Sequence, residues 1–285
     1  QRSDYGLPGH EHEFEACRPQ GEVLDCGGAV AGEEHAGEAP PVVALDSQRF
    51  DIRGELSDPL PGFAKLRLRA SRTDYQHEEI EDGAVATTFL NDGHDLRLEA
   101  EHAAIGGWKG MIGLETTQSD FSALGEEAFL PASRTQNTSL FVFEERSWNA
   151  WHFELAARQE RQEITGASIA ATRHEPLSLS ASALWTFHPG WSAALAVSRS
   201  QRAPSAQELY ADGVHIATAT FEIGDADLSD ETARTVDLTL RKTNGPTTFT
   251  LGLFHHAIAD YVFADTLDQF EAFRLIRYRQ DDAVF

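Results

Sequence analysis

From Gln48 to near the end of the chain, apolar and polar residues alternate with a period of two. Phe50, Ile52, Gly54 and Leu56 are interleaved with Asp51, Arg53 and Glu55. Ala64, Leu66, Leu68 and Ala70 alternate with Lys65, Arg67, Arg69 and Ser71, and Leu96, Leu98 and Ala100 with Arg97, Glu99 and Glu101. Trp151, Phe153, Leu155 and Ala157 are set against His152, Glu154 and Arg158. Leu177 to Phe187, Val236 to Arg241 and Phe249 to Leu253 repeat the pattern. Successive side chains of a strand point to opposite faces, so each segment carries one apolar and one strongly polar face. The pattern gives roughly ten or eleven strands, several of about ten residues or more. Strands in soluble sandwiches typically run ~5–6 residues, whereas ~9–11 residues match a tilted crossing of a bilayer. Full charges of both signs on the second face suit a wet barrel interior. The expected fold is all-β, an antiparallel transmembrane β-barrel with long extracellular loops.

No window approaches the ~18 uncharged apolar residues that a membrane helix needs. Trp108, Trp148, Trp151, Trp185, Phe187, Trp191 and Tyr261 fall near strand ends, as interfacial girdles do, although on a sandwich they would be core. Short turns at 105–107, 185–191 and 242–246 contrast with longer, acid-rich stretches at 76–84, 119–136 and 201–231. Roughly the first 45 residues are rich in Gly and poor in periodic apolar positions, the pattern of a long loop. The chain thus divides into a His- and Glu-rich extracellular loop, 1–46, and barrel strands with their loops, 47–285. A net charge of −23, from 46 acidic and 23 basic residues, repels nucleic-acid phosphates and attracts cations. Cys17 and Cys26, the two cysteines present, suit an exported protein with a disulfide-closed loop; two free thiols are the alternative. The sequence opens on Gln1 and stops at Phe285 without a turn or cap signal, and reads as a piece of a longer chain. No catalytic motif emerges, neither G-x-S-x-G nor H-E-x-x-H, so no enzyme is expected.

The stretch from Ser198 to Gly224 holds Arg202, Pro204, Ser205, Glu208, Leu209 and Tyr210, and is followed by Leu228 and Glu231. It resembles the TonB-dependent outer-membrane receptors, in which a strand ends in Arg-x-Pro-Ser-x-x-Glu-Leu-Tyr, enters an extracellular loop and returns after Gly-x-x-x-Leu-x-x-Glu. The N-terminal segment from Tyr5 to Cys17, with its Gly-Leu-Pro-Gly-His-Glu-His, is similar to the zinc-uptake branch, whose His-rich, disulfide-closed surface loop follows such a segment. Phe273 to Tyr278, continuing to Phe285, is similar to that branch too. The resemblance implies the outer membrane of a Gram-negative bacterium and a plugged barrel of about 22 strands, of which roughly ten or eleven lie here. It implies zinc as the transported ligand, the bilayer as surroundings, and the TonB complex of the inner membrane as a partner reached through a plug region outside this sequence. Two departures stand out. No terminal aromatic strand marks the barrel's end, and the N-terminal loop is less rich in His, with Glu13, Glu15, Glu22, Glu33, Glu34 and Glu38 around His10, His12 and His35.

Candidate metal ligands follow from chemistry and from the resemblance together. In an extended segment His10 and His12 face one way and Glu11 and Glu13 the other; imidazole nitrogen and carboxylate oxygen bind Zn²⁺ at about 2.0–2.2 Å. His35 belongs to the same loop. His215 lies in a segment resembling the family's return loop, which faces the binding cavity, and is the candidate for a deeper ligand; a solvated loop histidine is the plainer reading. Glu208, Asp212 and Glu222 are near it in sequence. Glu33, Glu34, His77 and Glu79, the last two beside Glu78, Glu81 and Asp82, are further vestibule candidates, or simply solvated turn residues. His255 and His256 are adjacent in a strand pattern and face opposite sides. The expected function is zinc uptake. The alternatives are a receptor for an iron siderophore or haem, a passive pore, and, from another class, a secreted soluble β-sandwich binding module.

Overall fold

The computed structural model describes residues 2–6, 17–26, 42–81, 83–125, 128–215 and 218–285. In chain order the strands are β1 (Arg2–Gly6), β2 (Arg18–Gln20), β3 (Val23–Asp25), β4 (Val42–Leu60), β5 (Phe63–Glu81), β6 (Ala84–Ile105), β7 (Trp108–Gly125), β8 (Ser133–Trp148) and β9 (Trp151–Thr165). They continue as β10 (Thr172–His174), β11 (Leu177–His188), β12 (Trp191–Arg202), β13 (Asp212–His215), β14 (Thr220–Ile223), β15 (Glu231–Lys242), β16 (Phe249–Phe270) and β17 (Phe273–Val284), with one short helix, α1 (Ala206–Tyr210). All strands but β2 and β3 form one 15-stranded sheet in the order β1-β4-β5-β6-β7-β8-β9-β11-β12-β15-β16-β17-β14-β13, with β10 off this path, paired to β9. Sequential neighbours pair antiparallel, and β14 pairs parallel to β17. This is the wall of a partial barrel.

The register aligns the apolar positions into belts. Leu56 is opposite Leu66, Leu66 opposite Ala100, Ala100 opposite Ile112, Ile112 opposite Val142 and Val142 opposite Ala157. These side chains have no core to enter: Phe50 is 67% exposed, Leu56 64% and Leu253 62%. A continuous exposed apolar band would be costly in water and is what a bilayer covers. The other face is charged and internally paired. Arg67 reaches Glu55 at 2.9 Å and Glu101 at 3.0 Å, Arg97 reaches Glu99 at 2.7 Å, and Arg158 reaches Glu115 at 2.7 Å and Glu160 at 2.8 Å.

The two ends of the wall differ. Turns at 61–62, 106–107, 149–150, 189–190 and 243–248 share one end, and the aromatics gather there. Trp151 stacks on Trp185 at 5.4 Å, and Phe187, Trp191 and Phe249 continue the row. Tyr261 is not among them: it lies partway along β16, beside Phe263 at 6.5 Å. At the loop end the strands run further than their alternation suggested. Residues 76–84 and 119–136, expected as acidic loops, are strand up to Glu81 and Gly125 and strand again from Ala84 and Ser133. Above the lipid both faces are wet, so strand continues there without an apolar stripe to reveal it. The small buried clusters lie at this end, one of Cys17, Phe221, Phe273 and Leu275, another of Phe89, Ala123, Phe129, Leu130 and Ala211. A disulfide joins Cys17 to Cys26 around the β2–β3 hairpin, and the Leu24 amide donates to Asp268 on β16 at 2.8 Å.

Candidate functional site

The connection between β12 and β15 is built before it can hold anything. Pro204 has no N–H to continue the strand ladder, and Ser205 caps α1. Its hydroxyl accepts from the Glu208 amide at 3.2 Å, while the Glu208 carboxylate accepts from the Ser205 amide at 2.7 Å. This reciprocal pairing is a capping box. Arg202 then donates to Glu208 at 2.9 Å and to Glu231 at 3.2 Å, tying the strand that leaves the barrel to the one that returns. Burial pushes the Glu208 carboxyl up, but Arg202 and the Ser205 amide more than offset it and hold it below the usual carboxylate range. Leu209 is buried with Ile164, Leu228 and Val262. A Cβ on Gly224 would stand 2.6 Å from the backbone of Leu209 and Tyr210, so only glycine allows β14 to leave so close to α1. The residues that carried the family resemblance are thus the frame of the loop.

Inside that frame, Glu222 is the centre of a polar knot. It is 3% exposed, and its carboxylate accepts from His215 Nδ1 at 2.8 Å, Gln207 Nε2 at 2.7 Å, the Tyr278 hydroxyl at 3.0 Å and the Thr220 hydroxyl at 3.3 Å. Desolvation raises the Glu222 carboxyl; the hydrogen bonds from His215 and Gln207, the charge of His215 and the Tyr278 bond outweigh it and hold the group below the usual range. A carboxylate can only accept, so Nδ1 of His215 carries the proton of this bond, and Nε2 is the ring nitrogen left to offer a lone pair to a metal. The ring lies flat on Phe129, with centroids 4.3 Å apart and planes 10° apart.

The other candidates distribute as follows. His77 stacks on Phe89 at 4.4 Å, with Nε2 4.0 Å from the Glu79 carboxylate and a buried Nδ1 that finds no hydrogen-bond partner among the described residues. Phe89 and Phe129 share one apolar cluster, so the His77 and His215 stacks flank the same patch at the loop end. Asp212 is exposed, and its amide donates to the Phe129 carbonyl at 2.8 Å. Glu208 and Glu222 are spent on the frame and the knot. His10, Glu11, His12, Glu13, Glu33, Glu34 and His35 lie outside the described residues. His256 faces Asp237 at 3.2 Å. Phe129, Gln207 and Tyr278 were not legible as site residues, because they reach His215 and Glu222 through contacts far apart in sequence. A second group, Glu145, His152 and Glu154, brings three ligand atoms within 4.8 Å of one another at the opposite end of the wall. The two-residue turn at Asn149–Ala150 would have revealed it, since it sets position 145 opposite 154.

Residues 43–282 match the protein-family model described as TonB dependent receptor-like, beta-barrel. The chain belongs to that family. It is a wall of a TonB-dependent receptor barrel, placed in the outer membrane of a Gram-negative bacterium, and the soluble sandwich is set aside. Solved receptor structures share the fold. The copper transporter OprC superposes with a TM-score of 0.64 at 10% identity, over 86% of this chain and 45% of that one. The FrpB iron transporter from Neisseria meningitidis (F5-1 variant) gives 0.64 at 13% identity, over 85% and 40%. A double mutant of the Serratia marcescens hemophore receptor HasR, in complex with its hemophore HasA and heme, gives 0.67 at 11% identity, over 86% and 45%. The chain therefore spans less than half the length of these receptors, and at such identities the likeness concerns the fold alone.

Proposed function

We propose that this barrel wall serves a receptor that takes up zinc ions across the outer membrane. The observation that carries the reading is the His215–Glu222 pair. A buried carboxylate holds Nδ1–H and leaves Nε2 with its lone pair, the arrangement by which carboxylates orient histidine ligands of zinc. His77 and Glu79, across the Phe89–Phe129 patch, supply further nitrogen and oxygen donors of the kind zinc accepts. His10, His12 and His35, with Glu11 and Glu13, would collect the ion from outside, and the acidic surface raises the local cation concentration. Passage inward would use a plug region and the TonB complex. A receptor for an anionic ferric chelate or haem would profit from free arginines around this patch, whereas Arg202 is occupied by Glu208 and Glu231.

The test is calorimetry with Zn²⁺ on the full-length protein, paired with uptake of radioactive zinc by cells expressing it. His215→Ala is expected to abolish the deep site and Glu222→Gln to weaken it by about 10–100-fold. His10→Ala with His12→Ala should slow capture from dilute zinc. Binding should fall as pH drops below ~6.5, where imidazole is protonated. Unchanged binding in His215→Ala would sink the assignment, and uptake of haem without zinc would replace the ligand.

A further inference from the structure

We infer that the concave wall carries a separate divalent-cation site at its short-turn end, made by Glu145, His152 and Glu154. The tight β8–β9 turn places Asn149 at φ 52°, a left-handed position that Asn tolerates. It fixes the register with Trp148 opposite Trp151, Ser147 opposite His152 and Glu145 opposite Glu154. Trp151 and Phe153 take the lipid face, so His152 and Glu154 point inward with Glu145 directly across. His152 Nε2 is 3.3 Å from Glu154 and 3.9 Å from Glu145.

Two observations say that a cation belongs between these groups. Like charges directly opposite each other on paired strands repel. Elsewhere on this face carboxylates are neutralised by Arg67, Arg97 and Arg158, but no lysine or arginine among the described residues pairs with Glu145 or Glu154. Lys109, the strand neighbour of Glu145, is not within ion-pair distance of it. Second, the trio is held from outside. Ser147 Oγ lies 3.0 Å from His152 Nδ1, and the Ser182 hydroxyl donates to Glu154 at 3.1 Å. Without an ion, the Glu154 carboxylate can only accept from Nε2–H, and Nδ1 accepts from the Ser147 hydroxyl. A cation that displaces the Nε2 proton leaves Nδ1–H to donate to Ser147 and turns the repulsion between the two carboxylates into coordination. One nitrogen and two oxygens, with water as a fourth ligand, suit Zn²⁺ or Co²⁺ better than Mg²⁺ or Ca²⁺. An ion here would sit at the end of the lumen away from the long loops, a resting point on the exit side.

The experiment uses Co²⁺ as a coloured probe on the full-length protein in detergent, in a His10→Ala, His12→Ala, His215→Ala background. A result in that background does not depend on the zinc reading of the loop site. Saturable Co²⁺ binding with visible bands is expected. His152→Ala should abolish it, and Ser147→Ala, which keeps every ligand, should weaken it by about 10–100-fold. Absence of Co²⁺ binding in the background protein overturns the inference. So does Co²⁺ binding that His152→Ala leaves intact. Should His152→Ala fail to fold, Ser147→Ala decides, and an unchanged affinity there overturns the site.

Discussion

On the concave wall the Phe141 ring lies over Gly113, where an added Cβ would stand 2.1 Å from its Cζ. The Arg97 guanidinium sits 4.3 Å from the same ring's centroid and pairs with Glu99. The glycine thus leaves room for an aromatic that shelters the strand backbone and supports a cation. Gly113→Ala must displace the ring and break that stack, and is expected to cost about 1–3 kcal/mol in denaturant unfolding from detergent; an unchanged midpoint would show that the ring moves freely. Glu222 makes a prediction of a different kind. Its folded carboxyl titrates below the ordinary glutamate value of about 4.3. The stability it lends is therefore complete above that pH and is lost as pH falls through the lower, folded value. Hydrogen exchange of the β13–β14 amides, corrected for intrinsic rates, should accelerate in that acid window. Glu222→Gln should remove the pH dependence and weaken protection by about 1.5–3 kcal/mol at neutral pH; equal protection in the two proteins would mean that the knot does not hold the hairpin.

At the scale of elements, α1 and the β13–β14 hairpin act as one unit. A five-residue helix has no stability of its own, so it rests on the capping box, on buried Leu209 and on β14 lying parallel to β17. Ser205→Ala should loosen the unit by about 1 kcal/mol. Gly224→Ala should do more, because its Cβ would meet backbone that cannot rotate away. Both should raise hydrogen exchange in β13–β14 while the melting of the barrel stays put; a parallel drop in barrel melting would show that the unit is not separable. This element also marks the limit of what the residues alone revealed. Alternation exposed the strands wherever one face meets lipid and the other water, as at Leu96 to Glu101. It could not show that β5 and β6 continue through Tyr75 to Glu81 and back from Ala84, where no regular apolar stripe marks either face. The Ser205-to-Glu208 spacing was visible but stood as part of a family motif, and its capping role emerged from the bonds. The knot was hidden because Tyr278 lies 56 residues from Glu222 and Gln207 15 from it, distances over which no local pattern speaks.

For the whole molecule, the decisive contrast is between the two faces of one wall. Among the described residues the sheet has open edges at β4 below Asp46 and at β17 beyond Arg277. In lipid such edges must be closed by further strands, in keeping with a chain that spans less than half of the receptors it resembles. The faces then differ in what they tolerate. Leu68, Leu98, Leu114 and Leu140 form a cross-strand row on the lipid side, with Leu114 44% exposed. Ser180 is exposed on the other side, beside strands already lined with Arg and Glu. Leu114→Arg places a charge in hydrocarbon and is expected to cost about 2–4 kcal/mol, read as the denaturant midpoint of the full-length protein refolded into bilayers. Ser180→Arg adds the same charge to a wet wall and should stay within about 0.5 kcal/mol. In lipid-free detergent micelles, which deform around a charge more readily than a bilayer, the penalty for Leu114→Arg should shrink while Ser180→Arg stays unchanged. Equal costs for the two variants in bilayers would mean that the Leu row does not face lipid, and the assignment of inside and outside on this wall would have to be reversed or abandoned.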